Sequence, residues 1–371
     1  MKKVSLILFG IFSLAACSKD DVRDLPKPAP QENHPPDQQP NDPSKPPASI
    51  VLRAVIKVGD IVYDSIPASI GLEIWENQER KSLSYHQLEP GNNRVQLPST
   101  SGIYKIRFSK WGINEELTLA PKDVIADSVY TLGGQKKAKK LKAEYDYVLK
   151  EGIYQPERKV EYFYQDDESL KKIVYHAKKA NGEPYVSLVS NFDYQEGKLK
   201  SILNYDENEN RTGSIKFFYD AKGRVTGMTK SGTDEANADV EYSRQDKEIV
   251  IRYTYPGKTY SLLYVMQYNG GNLAFYNAST SNHGGEQGNY QYDLQINPYV
   301  HMNWPDFMLT HGSKNNIIAS SQSYYGAYPV AVASGYNYTY DSDGYPKELV
   351  KTYKAYLTGQ YLYSTKTVYV Y

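Results

Sequence analysis

From residue 49 onward, apolar side chains return at every second position along segment after segment, the period of a β-strand with one covered face. Between 51 and 58, Leu52, Ala54, Ile56 and Val58 alternate with Val51, Arg53, Val55 and Lys57. Gly59-Asp60 then supplies a two-residue turn, and residues 61–66 predict the returning strand of a hairpin. Gly71-Leu72-Glu73-Ile74-Trp75-Glu76 alternates again, and residues 93–97, 102–108 and 116–119 predict further strands. Past residue 142 the alternation becomes aromatic. Ile215, Phe217 and Tyr219 share one face against Lys216 and Phe218, and Tyr336, Tyr338 and Tyr340 share one face against Asn337 and Thr339. Two β-regions follow, 49–134 and 142–371. Residues 135–142, with five lysines, predict a solvated join between them.

The second region is periodic. Taking the tyrosine before each turn as a marker gives Tyr164, Tyr194, Tyr219, Tyr242, Tyr268, Tyr292 and Tyr340, at steps of 30, 25, 23, 26, 24 and 48 residues, the last twice 24. A polar turn follows most markers, and then an apolar position: Leu170, Leu199, Val225 and Leu273, with Pro346 in the final unit. Such units bury little alone and must pair with their neighbours. The doubled step reads as a unit whose turn is replaced by an insertion, between Pro298 and Pro329. Breaks in a repeat are where binding surfaces often sit. Trp304, Tyr324, Tyr325 and Tyr328 in it are therefore the ligand-binding candidates. The insertion reads first as a cap over one open end of the sheet, with Trp304, Phe307 and Leu309 as its plug.

The unit Phe218-Tyr219-Asp220-Ala221-Lys222-Gly223-Arg224-Val225 resembles a YD repeat of the RHS type. Tyr338-Thr339-Tyr340-Asp341-Ser342-Asp343-Gly344-Tyr345-Pro346 resembles the closing repeat of a lipoprotein family of the Bacteroidota built from degenerate units of this kind. Tyr164, Tyr194 and Tyr242 precede Gln, Gln and Ser in place of Asp. That departure favours an open sheet over a closed RHS-type shell. The resemblance implies no known activity. In the first region, Gly102-Ile103-Tyr104-Lys105-Ile106-Arg107-Phe108 with Trp111-Gly112 resembles the core hairpin of carboxypeptidase-regulatory and immunoglobulin-like modules, which implies a non-catalytic spacer. Trp75 and Trp111 read as core anchors. The expected fold class is all-β: a small N-terminal immunoglobulin/prealbumin-like β-sandwich, then an open curved antiparallel sheet of serial hairpins.

The N-terminal residues alter the picture of location. Lys2 and Lys3 precede an apolar run, Val4 to Leu14, that is too short to span a bilayer. Leu14-Ala15-Ala16-Cys17 reads as a lipobox, which predicts a signal peptide over 1–16 and lipidation of Cys17. Ser18-Lys19-Asp20-Asp21 resembles the acidic export signal of Bacteroidota lipoproteins placed on the outer face of the outer membrane. Residues 17–48 form a tether holding nine of the chain's 20 prolines, with too few apolar side chains to fold. The expected location is the outer membrane, lipid-anchored and exposed at the cell surface.

Composition and motifs narrow function mainly by exclusion. Lys plus Arg and Asp plus Glu both number 43, so there is no basic footprint for nucleic acid. The 37 tyrosines against 9 phenylalanines suit half-buried sheet faces, where the ring packs and the hydroxyl stays wet. Cys17 is the only cysteine, which excludes an intrachain disulfide and a thiolate site in the mature fold. HExxH, GxSxG, a P-loop and GxGxxG are absent. Ser169-Leu170-Lys171-Lys172 falls on an expected turn without partner motifs. His301 and His311 lack a third ligand, so neither a metal nor a cofactor is expected. Asp206-Glu207-Asn208-Glu209-Asn210 and Asp341-Ser342-Asp343-Gly344 read as turns, not calcium loops. The expected role is non-enzymatic: a binding or scaffold module of the envelope that contacts a polysaccharide or an envelope protein. The rival class is a surface polysaccharide hydrolase or lyase with unrecognised carboxylates or Tyr/His chemistry.

Overall fold

Alternation along residues 50–58 is realised: Ile50, Leu52, Ala54, Ile56 and Val58 are all buried. The computed structural model describes residues 49–371 apart from 65, 99–100, 180, 233–234, 244–246, 281–283, 303–312 and 326–329, and apart from the side chain of Tyr325. The chain divides into two units at Ala138/Lys139.

In the first unit, β1 (Ser49–Val58) pairs antiparallel with β2 (Ile61–Asp64) and with β5 (Asn93–Gln96), and parallel with β8 (Val129–Lys136). A second four-stranded sheet has the order β4 (Glu79–Leu88), β3 (Ala68–Glu76), β6 (Ile103–Lys110), β7 (Ile113–Leu119). Its covered face carries Ile70, Leu72, Ile74, Tyr104, Ile106 and Phe108. Trp111 is buried and meets Tyr63 edge-on at 5.2 Å, as a core anchor should. Trp75 is not in the core. It shares the opposite face of β3 with Gly71 and Glu73.

The second unit is a ring. Its strands are β9 (Ala143–Lys150), β10 (Ile153–Tyr164), β11 (Leu170–Lys178), β12 (Pro184–Gln195), β13 (Lys198–Tyr205), β14 (Arg211–Tyr219), β15 (Val225–Gly232), β16 (Ala236–Tyr242), β17 (Glu248–Thr254), β18 (Ser261–Asn269), β19 (Asn272–Thr280), β20 (Gly284–Ile296), β21 (Asn315–Tyr325), β22 (Ala331–Tyr340), β23 (Pro346–Ala355) and β24 (Tyr361–Val370). Each pairs antiparallel with the next, and β24 pairs with β9 from Thr365↔Val148 to Val370↔Ala143. The result is a closed 16-strand barrel. This overturns the expected architecture of a sandwich leading into an open curved sheet. The missing Asp residues after Tyr164, Tyr194 and Tyr242 do not open the ring, because other groups build those turns.

Asp220 shows the standard turn. Its Oδ1 accepts the backbone N–H of Lys222 and of Arg224, both at 2.9 Å, while Gly223 takes φ 82°. Asp206 and Asp341 repeat the pattern at their own turns, so both are turn residues, as their sequences suggest. Where Gln165 replaces Asp, its N–H still reaches the Ser169 carbonyl at 2.8 Å, and Asp167 caps Ser169.

The marker tyrosines lie at one end of the ring and stitch neighbouring hairpins together. Tyr164 donates to the carbonyl of Leu141, Tyr219 to that of Leu199, and Tyr292 to that of Leu273. Tyr371 donates to the Pro346 carbonyl and acts as an eighth marker. A cation from the preceding turn stands over the ring in three cases: Lys140 over Tyr164, Lys198 over Tyr219 and Arg224 over Tyr242. Lys139 binds Asp341 and Asp343 at 2.6 and 2.7 Å. The lysines of the expected solvated join are thus partly structural.

The doubled repeat step is one hairpin pair with a long connection between β20 and β21. Tyr299 and Met302 from that connection pack with Leu141, Tyr162 and Tyr369. β20 and β10 lie six strands apart around the ring, so this contact crosses its interior and identifies the inner face. Glu144 is buried there under Tyr162 and Tyr299, both of which hydrogen-bond it. Beside it Arg158 pairs with Asp146 at 2.6 Å. Burial, then the neighbouring Asp146 charge, push the Glu144 carboxyl up to about 7 against the hydrogen bonds. An apolar, tyrosine-rich cluster covers much of the inner face, including Ile173, Phe192, Ile202, Phe217, Ile251 and Leu273.

The outer face is charged. Lys159 pairs with Glu161 at 2.6 Å and Lys366 with Glu348 at 2.9 Å, while Asp239 stands opposite Arg252. A lysine or arginine facing lipid near mid-depth costs about 2–4 kcal/mol, so this wall is built to face water. A closed antiparallel barrel is nonetheless consistent with a place at the outer membrane.

Two outcomes test this description. Tyr219→Phe should cost about 1 kcal/mol in urea unfolding of the mature chain, since it removes one buried hydrogen bond and leaves the packing. Glu144 ionises near 4.5 when unfolded and near 7 when folded. Its stabilisation is therefore complete below about 4.5 and is lost as pH rises through 7. The urea midpoint should fall across that window, and Glu144→Gln should flatten the slope. Glu286, pushed up to about 7 by burial, leaves a residual slope of the same sign.

Candidate functional site

Gly71 occupies the middle of β3, where a glycine weakens a strand and where close approach by another molecule is a common reason for it. It is flanked across the ladder by Tyr85 of β4 and Arg107 of β6. A side chain built at Gly71 would meet Leu83 at 3.5 Å and Tyr85 at 3.8 Å, which is ordinary contact. The missing side chain therefore leaves a hollow without being demanded by the fold. The hollow has a volume of about 590 Å³, and Ser69, Leu83, Tyr85, Ser109 and Asn114 help to line it. Tyr85 is 76% exposed, an aromatic ring standing in water from an ordered strand.

Glu73, two residues along, points to the same face yet is only 2% exposed. Arg80 and Arg107 reach its Oε1 at 3.3 and 3.2 Å, and the Trp75 indole N–H donates to its Oε2 at 2.6 Å. Burial of a carboxyl group costs free energy that such partners offset. Arg107 also binds Glu116 at 3.0 Å, and Lys105 binds Glu116 at 3.1 Å. Hydrogen bonds from Arg107 and then Lys105 hold Glu116 below the usual carboxylate range. The two arginines and the lysine are thus fixed in a row across the face. Beyond that row lies a second hollow of about 500 Å³, lined by Trp75, Gln78, Ser101, Gly102 and Lys105 among others. Lys105 stands 4.9 Å over the Trp75 ring. The charged row forms an ionic ridge that lines the first hollow and edges the second, with one aromatic ring at each hollow.

The candidates read from the sequence are placed elsewhere. Cys17, Trp304 and Tyr328 lie outside the described residues. Tyr324 and Tyr325 stand near the end of β21, and Tyr324 faces Glu286 across the ladder, half exposed. Burial, then the Glu286 charge, raises the Tyr324 hydroxyl above its ordinary value. His301 lies 6.3 Å from the Tyr345 ring. Gly71, Tyr85, Arg80 and Arg107 were missed. One signal was in hand: the alternation that puts Leu72 and Ile74 in the core puts Glu73 and Trp75 outside it.

No family model and no curated protein matches the chain. Among solved structures it is similar to a porin-like protein from Bacteroides uniformis ATCC 8492, at 11% identity and a TM-score of 0.34, over 63% of this chain and 98% of that one. It is also similar to a chain of the TcdB2-TccC3 structure, at 10% identity and a TM-score of 0.21, over 54% of this chain and 15% of that one. Similarity this low supports no argument about fold or activity.

Because a Cβ at Gly71 would make only ordinary contacts with Leu83 and Tyr85 and the backbone there is unstrained, Gly71→Leu should leave the urea midpoint unchanged or raise it. A drop of about 2 kcal/mol or more would show that the glycine is required by the fold.

Proposed function

We propose that the chain is a lipid-anchored binding module of the outer membrane, held at the cell surface through Cys17, and that its ligand face is the outer surface of β3, β4 and β6. The reading places it with the lipoproteins built from degenerate YD units. The observation that carries it is the hollow over Gly71, where a conformationally unneeded glycine opens space beside an exposed tyrosine and a fixed row of charges. The Leu14–Cys17 residues support the anchor, and the charged outer wall of the barrel supports attachment by lipid in place of strands buried in the bilayer.

A hydrolase would need a carboxyl that keeps its proton beside an ionised one. In the hollow, Glu116 is held ionised by Arg107 and Lys105, and Glu73 is committed to Trp75, Arg80 and Arg107. Glu144 does hold its proton toward neutral pH, but it is sealed beneath Tyr162 and Tyr299. Both facts favour binding over cleavage.

Cells fed labelled palmitate should label the wild-type chain and not Cys17→Ser, and protease added to intact cells should digest it. Complete protection would remove the surface claim. The immobilised mature chain should retain envelope polysaccharide or protein fractions, and Gly71→Leu should release them. Equal retention by both would move the ligand face away from β3.

A further inference from the structure

Resting on that reading of the face, we propose that its ligand is a neutral, linear glycan laid along β3, one sugar stacked at Tyr85 over Gly71 and another beside Trp75. Gly71 and Trp75 are four residues apart on one strand, so the hollows are separated by about 13 Å at 3.3 Å per residue. A run of a few sugar rings covers that distance, and no single monosaccharide does.

The chemistry selects among polymers. A pyranose offers an apolar C–H face and a rim of hydroxyls. The face offers two aromatic rings and side chains that donate and accept: the fixed pairs of Arg107 and Arg80 with Glu73 and of Arg107 with Glu116 between them, and Ser69 and Asn114 on the far side of Gly71. Ion pairs on a rigid floor accept and donate to hydroxyls without being broken. An acyl chain would have to cover that ionic ridge, at a desolvation cost it cannot offset. An extended peptide gains most of its affinity by pairing with a free strand edge, and this site is the face of a sheet, whose backbone groups are already paired. An acidic polymer would require excess positive charge. The two hollows are lined by Glu73, Glu76, Glu115 and Glu116 against Arg80, Lys105 and Arg107, so no such excess exists.

The test is an array of neutral and acidic oligosaccharides probed with the mature chain, followed by calorimetry on the neutral series that binds. Affinity should rise from disaccharide to hexasaccharide and should change little between low and physiological salt. Tyr85→Ala should weaken every length at least tenfold. Trp75→Phe, which keeps an aromatic ring but loses the indole N–H, and Trp75→Ala should weaken the long oligomers and spare the short ones. Gly71→Leu should abolish binding with the fold intact by urea midpoint. If the chain instead retains an acidic polymer or a protein, and Gly71→Leu still abolishes that retention, the glycan class is wrong and the face stands. If neutral oligomers bind Gly71→Leu as they bind wild type, the face is wrong. Absence of any neutral ligand up to millimolar concentration overturns the proposal.

Discussion

The hydrogen bond from a marker tyrosine to the carbonyl of the preceding unit is the contact on which the ring depends. Each ring is gripped on one side by a core residue and on another, in three units, by the cation of the turn before. One side chain therefore does three things: it fills the interior, fixes the exit of its own strand, and ties its hairpin to the last. Individually each such bond contributes about 1 kcal/mol. Made at Tyr164, Tyr219, Tyr292 and Tyr371, they tie neighbouring hairpins at one end of the ring. Phenylalanine could supply the packing but not the tie.

Polarity then follows from which face those rings occupy. Tyrosines and aliphatics turn inward, and the ion pairs of Lys159, Glu161, Lys366 and Glu348 turn outward. A barrel meant to carry its own strands through lipid would reverse that order. The buried cluster of Glu144, Tyr162 and Tyr299 completes the interior by tying the β20–β21 connection to strands across the ring.

Much of this was legible in residue order. The alternation in β1, the marker tyrosines and the Asp220 turn were all readable, because each depends on neighbours a few positions apart. Closure was not, because it depends on Val370 meeting Ala143. No local feature of either strand names the other. The one available sign was Tyr371, standing where an eighth marker belongs. The missing Asp after Tyr164 misled because turn chemistry is redundant: Asp167 serves where residue 165 does not. Trp75 was misread for a different reason. A tryptophan suggests a core, yet its parity along β3 places it with Glu73, and parity decides the face. Gly71 carried no signal until the hollow above it could be seen.

Closure by β24 also sets an order of events. Until the final strand of the ring is available, β9 and β23 each present an unpaired edge; β24 covers β23 as the other half of a hairpin, but the bonds that cover β9 join residues more than 200 positions apart in the chain. Without β24 the ring is a ribbon with two unpaired edges, and the pairing of β24 with β9 is what seals it. A chain shortened within β24 would keep nearly all its hairpins and lose the seal, and its fate would be governed by edge-to-edge association more than by unfolding.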